Sequence, residues 1–98
     1  MNIEKKTEGS TLNIAVSGRL DTNTAPELEK EIKAISAEIQ QLNLDFKGLE
    51  YISSAGLRVL LQGQKLMNKQ GSMVVKNINE TIREIFEITG FADILTVK

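Results

Sequence analysis

Neither cysteine nor histidine occurs among the 98 residues of the chain. Without cysteine there is no disulfide framework and no thiolate metal site; without histidine the commonest metal ligand and the commonest general base are both missing. Zinc enzymes and Ser-His hydrolases are thereby excluded. Proline occurs once, at Pro26, and no low-complexity segment, charge block or long-period repeat interrupts the chain, so no linker, tail or repeat array is expected. The longest aliphatic run, Val59-Leu60-Leu61, falls far short of the roughly 18 residues of a membrane span, and the charged N-terminus has no apolar stretch behind it. Charge of one sign is also lacking. Twelve Lys+Arg against 13 Asp+Glu leave a net charge of −1, so no long-range field draws the chain to nucleic acid or anionic lipid. These absences describe a soluble, cytoplasmic protein with no nucleic-acid or membrane partner, folded as one domain over residues 1–98 around one core.

What is present alternates between strand and helix signals. Leu12, Ile14, Val16 and Leu20 occupy even positions between polar or small neighbours, the period-two pattern of a half-buried strand, and Glu8-Gly9-Ser10 marks a turn back to a partner strand near Ile3–Thr7. Asp21-Thr-Asn-Thr24 offers N-cap chemistry ahead of Pro26, and Leu28, Ile32, Ile35 and Ile39 then form one apolar stripe, predicting a helix from about residue 24 to 39. A strand is expected over Leu42–Phe46, a loop over residues 47–52, and a helix opening at Ser53-Ser54-Ala55-Gly56 and running to about Lys69. Met73–Lys76 reads as a strand, Glu80–Ile88 as a helix stopped by Thr89-Gly90, and residues 94–97 as a last strand. The order predicts a small α/β domain, a mixed and mostly parallel sheet of four to five strands with three main helices packed on it. In such folds ligands and partners meet the loops at the C-terminal ends of the strands, here residues 20–25 and 48–56.

The second of these loops carries the chemistry. Ser53-Ser54-Ala55-Gly56 opens a helix, so its backbone N–H groups and hydroxyls face the positive end of a helix dipole, where negative charge is tolerated. Ser53 or Ser54 also suits a plain N-cap role. A catalytic serine lacks both the Gly-x-Ser-x-Gly elbow and an activating histidine, a phosphate loop lacks its Gly-Lys-Ser/Thr, and a receiver domain lacks a third carboxylate beside Asp21 and Asp45. No cofactor is implied. Tyr51 and Ile52 read as core, Met67 and Met73 as packing, and Asp45 stays outside the site.

Lys47-Gly-Leu-Glu-Tyr-Ile-Ser-Ser-Ala-Gly-Leu57 resembles the signature of the STAS domain, in particular that of bacterial anti-sigma factor antagonists, where Asp-Ser-Ser/Thr-Gly-Leu opens a helix. The resemblance extends along the chain: Ser17-Gly-Arg-Leu-Asp21 is similar to the family's Gly-x-Leu-Asp turn, Gly71–Val75 to its later strand, and Ile85–Gly90 to its third helix. It implies a non-enzymatic switch. The serine after the family's Asp is phosphorylated by a partner that is both anti-sigma factor and GHKL-type serine kinase, and a PP2C-type phosphatase resets it; by position this serine is Ser54. Two departures stand out, for the family's Asp is Ser53 here and the following hydroxyl residue is Ala55. A partner surface of Asp21, Asn23, Thr24, Ser53, Ser54, Ala55, Gly56 and Arg58, bordered by Gln62, is expected. The alternative keeps the fold and drops the phosphorylation, leaving an accessory subunit of a transport or signalling complex. A monomer or weak dimer is expected, the first strand being an edge blunted by Glu4, Lys5 and Lys6.

Overall fold

The computed structural model describes residues 1–98. Its elements are β1 (Asn2–Glu8), β2 (Thr11–Leu20), α1 (Ala25–Lys33), β3 (Gln41–Ile52), α2 (Ser54–Gln70), β4 (Ser72–Lys76), α3 (Glu80–Thr89) and the short α4 (Phe91–Ile94). The sheet order is β1-β2-β3-β4. The β1/β2 hairpin is antiparallel, while β2/β3 and β3/β4 run parallel. Both parallel crossovers step the same way, so right-handed connections bring α1 and α2 to one face, where they pack on each other.

That face is built by the alternation read from the sequence. Leu12, Ile14, Val16 and Leu20 of β2 meet Leu42, Leu44 and Phe46 of β3, Leu28 and Ile32 of α1, and Leu57, Leu60 and Met67 of α2 in one continuous core. Burying side chains of this size stabilises by roughly 1.5–3 kcal/mol each, which is what holds the helices down. The opposite face of the sheet carries a chain of amides: Gln41 Nε2 donates to Asn43 Oδ1 (2.8 Å) and Asn43 Nδ2 to Asn13 Oδ1 (2.9 Å).

Three sequence expectations are corrected. The first helix ends at Lys33 rather than near residue 39, because the chain turns at Ser36, whose hydroxyl accepts from the Glu38 N–H. Ile39 still reaches the core from that turn, where its N–H donates to the Ser36 carbonyl, and Gln70 donates to the Ser36 and Ile39 carbonyls. Residues 47–52 belong to β3 and not to a loop. Register shifts between Ala15/Ser17 and Gly18/Arg19 break the alternation there, with a Gly at each end of the disturbance. Gly18 has φ +92°, and a Cβ on Gly48 would stand 2.7 Å from that of Ser17. Finally, residues 94–97 do not form a strand: α4 precedes a single parallel bridge between Val97 and Val75. Lys98 N–H donates to the Val75 carbonyl and Val75 N–H to that of Thr96, which covers the outer edge of β4.

Candidate functional site

β2 and β3 end level with each other. Leu20 is paired with Ile52, and the Ser53 N–H donates to the Leu20 carbonyl at 2.9 Å. The Asp21 loop and the Ser53-Ser54 segment therefore leave adjacent parallel strands side by side, at the strand ends where α/β folds present their binding loops.

On the first loop the Asp21 carboxylate is the organiser. Its Oδ1 accepts from the N–H groups of Asn23 (3.0 Å) and Thr24 (3.1 Å), an Asx turn that leads into α1. The Thr24 hydroxyl accepts from the Asp21 N–H at 2.8 Å and donates to the Arg19 carbonyl at 2.8 Å. Thr24 occupies the N-cap position of α1 without capping it, because its hydroxyl is spent on this loop. The surroundings of Asp21 remove some water from the carboxylate and oppose its ionisation; the bonds from Thr24 and Asn23 and the charge of Arg19 outweigh this and hold its pKa below the usual carboxylate value. Asp21 is thus an anion at neutral pH.

On the second loop α2 begins at Ser54, with Ser53 as its N-cap in extended conformation. The Ser53 hydroxyl caps nothing: its oxygen is buried and has no hydrogen-bond partner. Ser54 is exposed at the first helical position, Ala55 is half-buried beside it, and Arg58 is exposed one turn on. Gly56 does not reach the surface. A Cβ there would stand 2.7 Å from Ile52 Cγ1 and 2.8 Å from Leu20 Cγ, so the glycine lets the first turn of α2 rest on the two strand ends. Its part in the site is to seat the helix rather than to face a partner.

Between the N-terminal halves of α1 and α2 lies a shallow groove of about 210 Å³, walled by Thr22, Ala25, Pro26 and Glu29 on one side and Ala55, Arg58, Val59 and Gln62 on the other. Thr22 and Glu29 are absent from the sequence-derived surface, because only the packing of α1 against α2 brings them opposite Arg58. A second feature missed from sequence is the stack of the Arg19 guanidinium on the Tyr51 ring, 4.6 Å from its centroid. Tyr51 is half-buried under this cation next to the site, whereas Ile52 is core as expected. Arg19 pairs with Tyr51 across β2 and β3, a neighbourhood no local pattern announces.

Nowhere do three His, Cys, Asp or Glu side chains converge as a metal site would require, and no helix is long and apolar enough to cross a membrane. What the strand ends present is a hydroxyl at a helix N-terminus and, on the loop leaving the neighbouring strand, a fixed carboxylate, on a small α/β domain with a mixed four-stranded sheet.

That combination of fold and motif defines a class, and residues 2–98 match the STAS domain. The chain belongs to the STAS domain family. It is 28% identical over 99 residues to the anti-sigma-B factor antagonist of Bacillus subtilis, covering all of this chain and 91% of that one. It is 39% identical over 84 residues to BtrV of Bordetella bronchiseptica, covering 84% of this chain and 72% of that one. Among solved structures, an anti-sigma factor antagonist from Mycobacterium paratuberculosis superimposes with a TM-score of 0.87 at 25% identity, over 98% of this chain and 83% of that one. The unphosphorylated and phosphorylated forms of the Bacillus protein SpoIIAA share the fold, with TM-scores of 0.78 and 0.77 at 17% identity; each match covers 99% of this chain, and 87% and 91% of the two SpoIIAA chains. Such relatives are named for antagonism of another protein and not for catalysis.

Proposed function

We propose that this chain is an anti-sigma factor antagonist whose free form binds an anti-sigma factor and so releases a sigma factor. The partner is a GHKL-type serine kinase that phosphorylates Ser54, and a PP2C-type phosphatase reverses the modification. The contact surface comprises Asp21, Asn23, Thr24, Ser53, Ser54, Ala55 and Arg58, around the groove between α1 and α2. The protein acts in the cytoplasm without catalysis of its own.

The observation that carries this reading is the exposed Ser54 hydroxyl at the first position of α2, beside the ionised Asp21 loop. Phosphorylation adds roughly −1.5 to −2 charges there. The α2 N-terminus tolerates them through its dipole and free N–H groups, so the fold is kept. A partner docked on the same surface meets a dense anionic patch made by the phosphate and Asp21 together, and binding is lost by repulsion and desolvation.

The test is phosphopeptide mass spectrometry of the protein from its native cells, with S54A and S53A versions alongside, joined to a pull-down with unmodified protein. Phosphate on Ser54 that disappears only in S54A, together with capture of a serine kinase by the unmodified form alone, is the expected result. Phosphate confined to Ser53 would overturn the assignment of the acceptor. No phosphate under any growth or stress condition would overturn the switch and favour an accessory subunit that acts by binding alone.

A further inference from the structure

Arg58 lies four residues after Ser54 on α2, so the two side chains share one helical face with Cβ atoms about 5–6 Å apart. Cα–Cβ bonds tilt toward a helix N-terminus, so the long Arg58 side chain, which walls the groove here, is within reach of the turn that carries Ser54. Arg58 is exposed and makes no ion pair and no side-chain hydrogen bond, in contrast to Arg19, which is engaged by Tyr51 and Asp21. The acidic group nearest to it in the groove, Glu29, is turned to Lys33 at 3.9 Å. The first turn of α2 contains no acidic residue that would compete for the guanidinium.

Resting on the assignment of Ser54 as the phosphoacceptor, we infer that Arg58 is the intramolecular clamp for the phosphorylated serine. A guanidinium presents a planar fork to two phosphate oxygens, while the α2 N–H groups remain available to the third. In the free form Arg58 offers its charge to the groove and to the partner seated there. In the phosphorylated form it turns back onto the phosphate, so the surface gains an anion and loses a cation in one event. Arg58 is a positioning residue in this scheme, setting the proton affinity and the accessibility of the phosphate.

The experiment installs phosphoserine at position 54 of the full chain during translation, so that no kinase is needed, and follows its phosphorus resonance through a pH titration. Replacing Arg58→Gln raises the proton affinity of the phosphate about two- to threefold, and Arg58→Lys, a point charge without the fork, gives an intermediate value. The same substitutions leave the denaturation midpoint of the unmodified protein unchanged, which separates the clamp from a structural role. Equal titration curves for Arg58 and Arg58→Gln would overturn the clamp and leave the switch standing. Absence of phosphate in native cells would overturn the switch while the titration still decides whether Arg58 grips a phosphoserine at this place.

Discussion

Two glycines of α2 invite the same substitution and should answer it with opposite sign. At Gly56 the added methyl stands 2.7 Å from Ile52 Cγ1, 2.8 Å from Leu20 Cγ and 3.1 Å from Leu20 Cδ2. Carbon atoms in contact prefer about 3.5–4.0 Å, so the methyl must displace its neighbours by nearly an ångström. Those neighbours cannot easily yield: Ile52 is 1% exposed, Leu20 is 0% exposed, and they are the last residues of the paired strands β3 and β2. Overpacking of this kind costs about 1–3 kcal/mol, against which alanine's better helix propensity returns at most about 1 kcal/mol. With the full propensity gain subtracted, Gly56→Ala should therefore lose up to about 2 kcal/mol. At Gly63 the methyl meets Met73 Sδ at 3.3 Å and Ile32 Cδ1 at 3.4 Å, the ends of flexible side chains that need move only a few tenths of an ångström. There propensity wins, and Gly63→Ala should be neutral or stabilising by up to about 1 kcal/mol. Urea denaturation of both variants reads the difference, and thermal melts should separate them by several degrees, at about 4–8 °C per kcal/mol for a domain of this size. Because Gly56→Ala lifts the turn that carries Ser54, it should also weaken partner capture. A Gly56→Ala protein as stable as Gly63→Ala would refute the close seating of α2 on the strand ends.

Asn79 accepts from the Ile82 N–H at 2.8 Å as the N-cap of α3 and donates to the Leu49 and Glu50 carbonyls of β3 at 3.1 and 3.3 Å. Asn79→Ala should cost about 1–2 kcal/mol in urea denaturation, and Asn79→Asp, which keeps the cap and loses the donors, should recover only part of it. Ser53→Ala removes a buried hydroxyl that has no partner, so stability should hold or rise slightly; a loss near 1 kcal/mol would show that the hydroxyl caps α2 after all. Asp45 is held below the ordinary carboxylate pKa first by the Asn77 amide, 2.9 Å away, then by the Lys47 N–H and the charges of Lys47 and Lys76, against a desolvation that raises it. A carboxylate with a depressed folded pKa stabilises above its unfolded value, near 3.9, and loses that contribution as the pH falls through the folded value. The Asp45 contribution should accordingly be fully present well above the unfolded value and be lost as the pH falls below it, and Asn77→Gly, which preserves the positive φ of 60°, should shallow that fall; an unchanged acid limb would refute the Asn77 contribution.

Local periodicity and cap chemistry announced the α/β class, the order of elements as far as α3, the opening of α2 at Ser53-Ser54 and the buried set of β2. Apolar residues at even positions can only face one side of a sheet, and Asn79 with Gly90 brackets α3 whatever surrounds it. Residues 47–52 defeated the same reasoning, since the register shifts against β2 that make them a strand also erase the period-two signal. The apolar stripe of α1 could not reveal its end. Ile39 satisfies the stripe from a turn as well as from a helix, and the turn is tied to Gln70, more than thirty residues away, through the Ser36 and Ile39 carbonyls. The candidate site divides in the same way. Asp21 and Ser54 were legible as residues in strand-end loops, whereas their adjacency depends on the Leu20–Ile52 pairing. The burial of the Ser53 hydroxyl, the Arg19–Tyr51 stack and the groove that sets Glu29 opposite Arg58 depend on packing between segments distant in the chain. Tertiary structure decided these because a side chain's partner across a sheet or between two helices is fixed by register and docking, which one-dimensional spacing does not encode.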